Sequence, residues 1–275
     1  MRVILVPVAD RPECARALQT AFDLGERLGA SVTGCHMRPH RQSDVTLSPA
    51  FAEAAWRKKS TKRAPQAARA LYEQIAAQHG YEVAKKARRA PCALWQEKVG
   101  APDMLMGIYG PLADLIVVSR PKEKGSVADL FLSSALTRSS RPVLVLPARS
   151  PKRVGKRICI AWDQSNASML AVKATIPLLE RAEEITIVSC GKEDKPGPKS
   201  GQLAAYLTHW GIRTQRVTTR GRDIEVELIA QYKKARADLL IGGAYSRSRW
   251  RERVFGGTTD FLVRKAKIPV LLRHV

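Results

Sequence analysis

The chain repeats itself. ADLIVVSRP, Ala113 to Pro121, has a counterpart in ADLLIGGAY, Ala237 to Tyr245. Each is followed by a loop, a short helical stretch and a second apolar run behind a proline. Those runs are RPVLVLPA (Arg141–Ala148) and IPVLLRHV (Ile268–Val275). The starts correspond too: RVILVPVAD (Arg2–Asp10) parallels RICIAWDQS (Arg157–Ser165). Self-similarity on this scale marks a structural unit used more than once. Between the copies, SPKRVGKR (Ser150–Arg157) is polar and basic and holds Pro and Gly, as a linker does. Two domains are expected, 1–150 and 151–275.

Within each copy, short and nearly continuous apolar runs alternate with helical patterns. The runs Val3–Val8, Leu115–Val118, Val143–Leu146, Ile158–Trp162, Leu239–Ile241 and Val270–Leu272 read as strands buried on both faces of a parallel sheet. Further strands are expected at Ser31–Met37 and Ala93–Val99 in the first copy, and at Glu184–Ser189 and Arg213–Thr218 in the second. Ala15, Leu18, Phe22, Gly25 and Leu28 recur at helical spacing, as do Met169, Val172, Ile176 and Leu179. Pro177 is expected to kink or shorten the second of these helices. Alternation of strand and helix implies right-handed crossovers and a doubly wound α/β sheet in each domain. An insertion at about Arg38–Lys62 belongs to the first copy alone and is expected to be mobile.

Composition removes several classes of function. No run approaches the roughly 20 apolar residues of a membrane span. MRVILVPVADRP reads as a first strand, not a signal peptide, so a cytoplasmic location is expected. The five cysteines form no CxxC pair, which argues against a disulfide framework or a zinc ribbon. Cys35, His36 and His40 are close in sequence but lack a second ligand pair, so a strand end is the reading preferred to a metal site. Basic residues number 47 against 25 acidic, a formal +22, and such a field attracts polyanions. Aromatic residues do not interleave with the basic clusters, so a nucleic-acid partner is not favoured.

One stretch carries the functional question: GGAYSRSRWRERVFGGTTDFL, Gly242–Leu262. It begins where a strand ends, and ligands of open α/β sheets bind outside the carboxyl ends of strands. Gly243 lets the backbone approach a ligand, and Gly256 and Gly257 are expected at positive φ with their N–H groups turned inward. A helix is expected to start near Thr258, and its first amides favour an anion. Thr258 and Thr259 add hydroxyl donors, and Arg247 or Arg249 is placed to reach terminal phosphates. The P-loop pattern GxxxxGK[ST] is absent. No Ser–His–Asp set, paired carboxylates or base for water is legible, so no catalytic residue is assigned.

With these residues in view, the chain resembles a tandem universal stress protein, and the resemblance covers both halves. Nucleotide-binding members of that family carry G-x2-G-x9-G-[ST] after the fourth strand of the unit. Here Gly243, Ser246 and Gly256 keep the spacing, with Ser246 in place of the second glycine and Gly257 in place of the Ser/Thr. The resemblance implies two adenine nucleotide α-hydrolase-like, Rossmann-like domains. It further implies ATP or AMP, with or without Mg2+, in the second. The site residues it implies there are Ala161 and Trp162 at the end of the first strand, Asp163 after it, and Val188 on the second. From the loop come Gly243, Ser246, Arg247, Gly256, Gly257, Thr258 and Thr259. The first copy departs: Ser119 replaces the first glycine, Pro121 and Lys122 follow, and Ser133–Ser134 stand where the second glycine pair belongs. That copy is expected not to bind nucleotide in this way, although Asp10 persists near its first strand. Family units pair through their last strands; here one chain supplies both partners, a homodimer being the alternative. A ligand-free interaction scaffold and a basic polyanion binder are the competing functions.

Overall fold

Burial on both faces makes Val3–Val8 the first strand, β1, with Ile4 and Val6 fully buried. The computed structural model describes residues 1–9, 12–38, 63–149, 151, 153–244 and 257–274. These residues divide into two compact units, Met1–Ala148 and Arg149–Val275. The insertion singled out in the sequence lies outside the described residues from position 39 to 62.

In unit 1, β1 leads to helix α1 (Pro12–Leu28), whose apolar stripe buries Leu18, Ala21 and Phe22. Strand β2 (Ser31–Arg38), helix α2 (Arg63–Gln78), a two-residue strand β3 (Val83–Ala84) and β4 (Ala93–Val99) follow. Helix α3 (Pro102–Tyr109), β5 (Leu115–Ser119), α4 (Val127–Arg138) and β6 (Val143–Leu146) complete the unit. The strand order is β3-β4-β2-β1-β5-β6, and the pairings within it are parallel. His36, on β2, directs Nδ1 at the Val8 carbonyl, 2.9 Å away, and stacks on Trp95. Cys35 beside it is buried, and burial pushes its thiol up to about 12. Strand β3 has no signal in the sequence; a two-residue strand between polar residues leaves no apolar run to read.

Unit 2 runs β7 (Arg157–Trp162), α5 (Asn166–Leu179), β8 (Glu184–Cys190), α6 (Ser200–Thr208), β9 (Gln215–Thr219), α7 (Ile224–Lys234) and β10 (Leu239–Gly243). It closes with the single turn α8 (Gly257–Asp260), a π-type turn over Phe261–Lys265, and β11 (Val270–Arg273). The order is β11-β10-β7-β8-β9, again parallel. Pro177 sits in the last turn of α5, which ends two residues later at Leu179. Among the described residues no helix is long and apolar enough to cross a membrane.

The repeated Ala-Asp-Leu has a physical reason. Asp114 accepts from the Val3 amide at 3.1 Å, and Asp238 accepts from Gly155 at 2.7 Å and Arg157 at 3.2 Å. In each unit the aspartate at the head of the central strand thus holds the amides that begin the first strand. Hydrogen bonds to a charged acceptor contribute about 1.5–3 kcal/mol each. In both units the strand order reverses beside the first strand, between β1 and β5 and between β7 and β10. Each reversal creates a crevice at the carboxyl ends.

Candidate functional site

The crevice of unit 2 lies where β7 and β10 end side by side, with Gly242 in register with Ala161. Ala161 is half-buried, and Val188 faces it from β8, fully within the core at 1% exposure. Trp162 is 3% exposed, and its indole N–H donates to the Pro198 carbonyl at 2.9 Å. Its ring is therefore a packing element.

Asp163 follows directly. Its Oδ1 accepts from the Ser165 amide at 3.1 Å and the Ser165 hydroxyl at 2.6 Å. Ser165 in turn accepts from the Ser168 amide at 3.2 Å and is the N-cap of α5. Asp163 thus orients the cap without being the cap.

Gly243 ends β10 opposite Arg273, and the next amide, Ala244, donates to Arg273 O at 2.8 Å. A Cβ on Gly243 would stand 2.6 Å from the Ser168 amide nitrogen and 2.8 Å from Ala167. What approaches this glycine closely is the first turn of α5. The glycine is required for strand–helix packing, whatever else its backbone does.

Ser246, Arg247 and Gly256 lie outside the described residues, as does Arg249. Gly257, Thr258 and Thr259 form the turn α8, with Gly257 exposed and both threonines half-buried. Gly257 does not take the positive φ expected of it; it is already the first helical residue. Asp260 pairs with Arg264, Nε to Oδ1 2.9 Å, which offsets its negative charge beside the turn. The Glu225 carboxylate reaches within 3.8 Å of where a Gly257 Cβ would be.

Sequence reasoning missed the segment that covers one side of this crevice. Residues 191–199 leave β8 and are tied across the end of β7. Gln164 does the tying: its amide nitrogen donates to Lys195 O and Gly197 O, both at 3.1 Å, and its oxygen accepts from Lys195 N at 3.2 Å. Gln164 is 5% exposed and sits at φ 64°, a conformation costly for a residue with a Cβ. Gly197 packs so closely on the Gln164 carbonyl that a Cβ there would lie 2.1 Å from the oxygen. Lys195 Nζ donates to Asp163 O at 3.2 Å. At the far end, Glu193 accepts from Ser189 Oγ at 2.7 Å and from the Ser200 amide at 2.9 Å. Desolvation raises the Glu193 carboxyl, but these hydrogen bonds outweigh it and leave the group below its ordinary range. The signal available in sequence was only the Gly197–Pro198 pair; nothing periodic connects Gln164 to it.

In unit 1 the corresponding place is built otherwise. Ser119 Oγ donates to Glu13 O at 2.5 Å, and Lys122 pairs with the Glu13 carboxylate. Helix α4 begins at Val127 on the N-cap Ser126, so Ser133–Ser134 lie inside it and offer no free N-terminal amides. Asp10 lies outside the described residues. Among the described residues no group of three or more His, Cys, Asp or Glu is placed to hold a metal ion.

The universal stress protein family model matches residues 191–274. Solved structures similar to the chain across its full length include the following three. A universal stress protein from Archaeoglobus fulgidus is 15% identical, with 99% of this chain and 98% of that chain covered and a TM-score of 0.71. A putative universal stress protein from Pseudomonas aeruginosa UCBPP-PA14 is 14% identical, with 100% and 93% covered and a TM-score of 0.61. A functionally unknown protein from Pseudomonas aeruginosa PAO1 is 13% identical, with 100% and 92% covered and a TM-score of 0.60. None of the curated proteins compared matches the sequence. The chain is therefore a tandem of two units with the universal stress protein fold, its residues 191–274 matching that family.

Proposed function

We propose that this chain is a cytoplasmic universal stress protein that holds ATP or AMP at the crevice of unit 2 and acts in stress response or regulation. Unit 1 carries a degenerate form of the loop and no nucleotide. One observation carries the reading. β7 and β10 are neighbours at the point where the strand order reverses, so Asp163 and the Gly243 loop leave the sheet side by side. The segment from Gly243 through Ser246 to Gly256 keeps the family spacing and re-enters the described chain as a helical turn at Gly257. The described residues offer no set of metal donors, so we assign Mg2+ no protein ligands.

Calorimetric titration with ATP and AMP tests the proposal. Gly256→Val is expected to weaken binding at least about tenfold, the effect of losing one hydrogen bond to a charged group. Heat-free titrations with the native chain, and no nucleotide released from the purified protein on denaturation, overturn it.

A ligand-free scaffold is the second reading, and two observations favour it. The segment 191–199 already covers one side of the crevice, and the first turn of α5 already fills the side-chain space at Gly243. A melting temperature unmoved by about a thousandfold excess of ATP over a typical micromolar Kd selects this reading, because ligand binding at that ratio stabilises by about 4 kcal/mol.

A further inference from the structure

The outer edge of unit 2 carries a row of cations that nothing in the fold explains. From Lys195 to Arg222 there is no aspartate or glutamate. That stretch comprises the whole of α6 and β9, and β9 is the last strand in the order β11-β10-β7-β8-β9. Arg213, Arg216, Arg220 and Arg222 are exposed along and just beyond this strand, and Lys199 is exposed at the start of α6. Among the described residues none of the four arginine side chains meets a carboxylate. Of the acids that follow, Glu227 accepts from Gly221 and Arg222 amides, Asp223 caps α7, and Glu225 lies beside Gly257. Arg216 lies across the first turn of α6, its guanidinium within 2.8 Å of where a Gly201 Cβ would be. At the other end of the row Trp210 is 48% exposed in the turn that leads into β9.

Unpaired guanidinium groups on a surface repel one another and favour an anion that bridges them. Their arrangement selects the kind of anion. The extended part, Gln215–Thr219, runs about 13 Å at about 3.3 Å per residue, with Arg216 on it and Arg213 and Arg220 flanking its two ends, a line and not a plane. A line of cations tracks a polymer of phosphates, and guanidinium binds phosphate through two parallel hydrogen bonds. An exposed indole at the end of such a line offers a base a stacking face. A membrane surface would call for several apolar side chains to insert together, whereas Trp210 stands at one end of the row and the exposed Ile224 and Val226 lie past its other end, on α7.

We propose that the α6/β9 edge of unit 2 binds single-stranded nucleic acid, with Arg213, Arg216, Arg220 and Arg222 on successive phosphates and Trp210 stacked on a base. The site is separate from the nucleotide crevice, and it stands or falls independently of it.

Fluorescence anisotropy of a labelled oligo(dT) of about 16 nucleotides reads the binding directly. The full chain is compared with a variant carrying Gln at all four arginines. A control variant loses four exposed cations of unit 1, Lys85, Lys86, Arg88 and Arg89, to Gln, so the net charge of the two variants is the same. Between about 50 and 200 mM salt, the log–log salt slope of the edge variant is expected to fall in magnitude by about 2–3, at roughly 0.7 for each phosphate that is no longer neutralised. The control keeps the native slope, and replacing the four arginines by Lys restores it. Trp210→Ala is expected to weaken binding about fivefold or more without changing the slope. Equal losses in edge variant and control would assign the binding to the overall charge and overturn the proposal. So would absence of oligonucleotide binding at low salt, or binding to phosphatidylserine vesicles in its place.

Discussion

At the carboxyl ends of their central strands the two units meet the same packing requirement with different atoms. In each, the residue after the strand donates its amide across to the last strand: Arg120 to Leu146 O and Ala244 to Arg273 O, both at 2.8 Å. One residue earlier they diverge. Ser119 meets the first turn of α1 through a hydroxyl bonded to Glu13 O, whereas Gly243 meets the first turn of α5 through bare backbone. Unit 1 then fills the region with charge: Lys122 pairs with Glu13, and desolvation draws the guanidinium of the half-buried Arg120 down to about 10. Unit 2 instead draws its helix inward against bare backbone. The glycine of the nucleotide pattern is, in this chain, first a statement about how close a helix comes to a strand.

The sharpest way to break that comparison is to alter each of the two positions in turn. Gly243→Val puts a branched side chain where a Cβ alone already stands 2.6 Å from the Ser168 nitrogen. The displaced atoms are backbone and cannot swing aside. Overpacking of this kind costs about 3 kcal/mol, and more when backbone must move. Urea unfolding is expected to show that loss as a lowered midpoint. Ser119→Gly removes one hydrogen bond and adds chain entropy, together about 1–2 kcal/mol. Equal midpoints for Gly243→Val and the native chain would mean that the first turn of α5 yields easily, and the asymmetry argued above would disappear.

Periodicity and repetition made the scaffold legible, and tertiary contacts hid the rest. β1 and β7 stand where the apolar runs placed them, because residues buried on both faces of a parallel sheet must be apolar throughout. Asp114 and Asp238 are visible as repeated letters, but their work on the first-strand amides joins residues more than eighty positions apart. Asp163 suits either a cap or a ligand contact by its position; the cap is Ser165, one of several short polar residues that sequence cannot rank. The hold of Gln164 on residues 195–197 leaves no trace in pattern, since a loop side chain that satisfies loop carbonyls has no period. Ser246, Arg247 and Gly256 are legible by spacing alone and lie outside the described residues.

Gln164 permits a second, smaller test of how unit 2 differs. Gln164→Ala deletes all three hydrogen bonds to the covering segment and leaves the strained φ in place. With a net value near 1 kcal/mol per bond and some replacement by water, the expected loss is about 2 kcal/mol. Hydrogen exchange at the Lys195 amide is expected to accelerate while the amides of β7 stay protected, because the segment opens locally. If the segment blocks the crevice, ATP binds the variant more tightly than the native chain; if it forms a wall of the site, ATP binds more weakly. Unchanged exchange at Lys195 would show that the Trp162–Pro198, Lys195–Asp163 and Glu193 bonds hold the segment without Gln164.

The smallest expected effect concerns the helices that follow β4 and β9. Helix α3 in unit 1 begins at Pro102 behind Ala101, with no side-chain cap. Helix α7 begins with two carboxylates at work: Asp223 accepts from Val226 N, and Glu227 accepts from Thr219 Oγ1 and from the amides of Gly221 and Arg222. The Thr219 hydroxyl, then the Gly221 amide, hold the Glu227 carboxyl down at about 2, against an ordinary value of 4.5. Because the folded value lies below the unfolded one, the contribution is complete above pH 4.5 and fades as the pH falls through that value toward 2. Glu227→Gln, which keeps the shape and removes the charge, is expected to melt below the native chain at neutral pH. The gap should close on acidification across that window. A gap that stays constant down to pH 2 would mean that the amides bind the side chain equally well without its charge, and that α7, like α3, starts without electrostatic help.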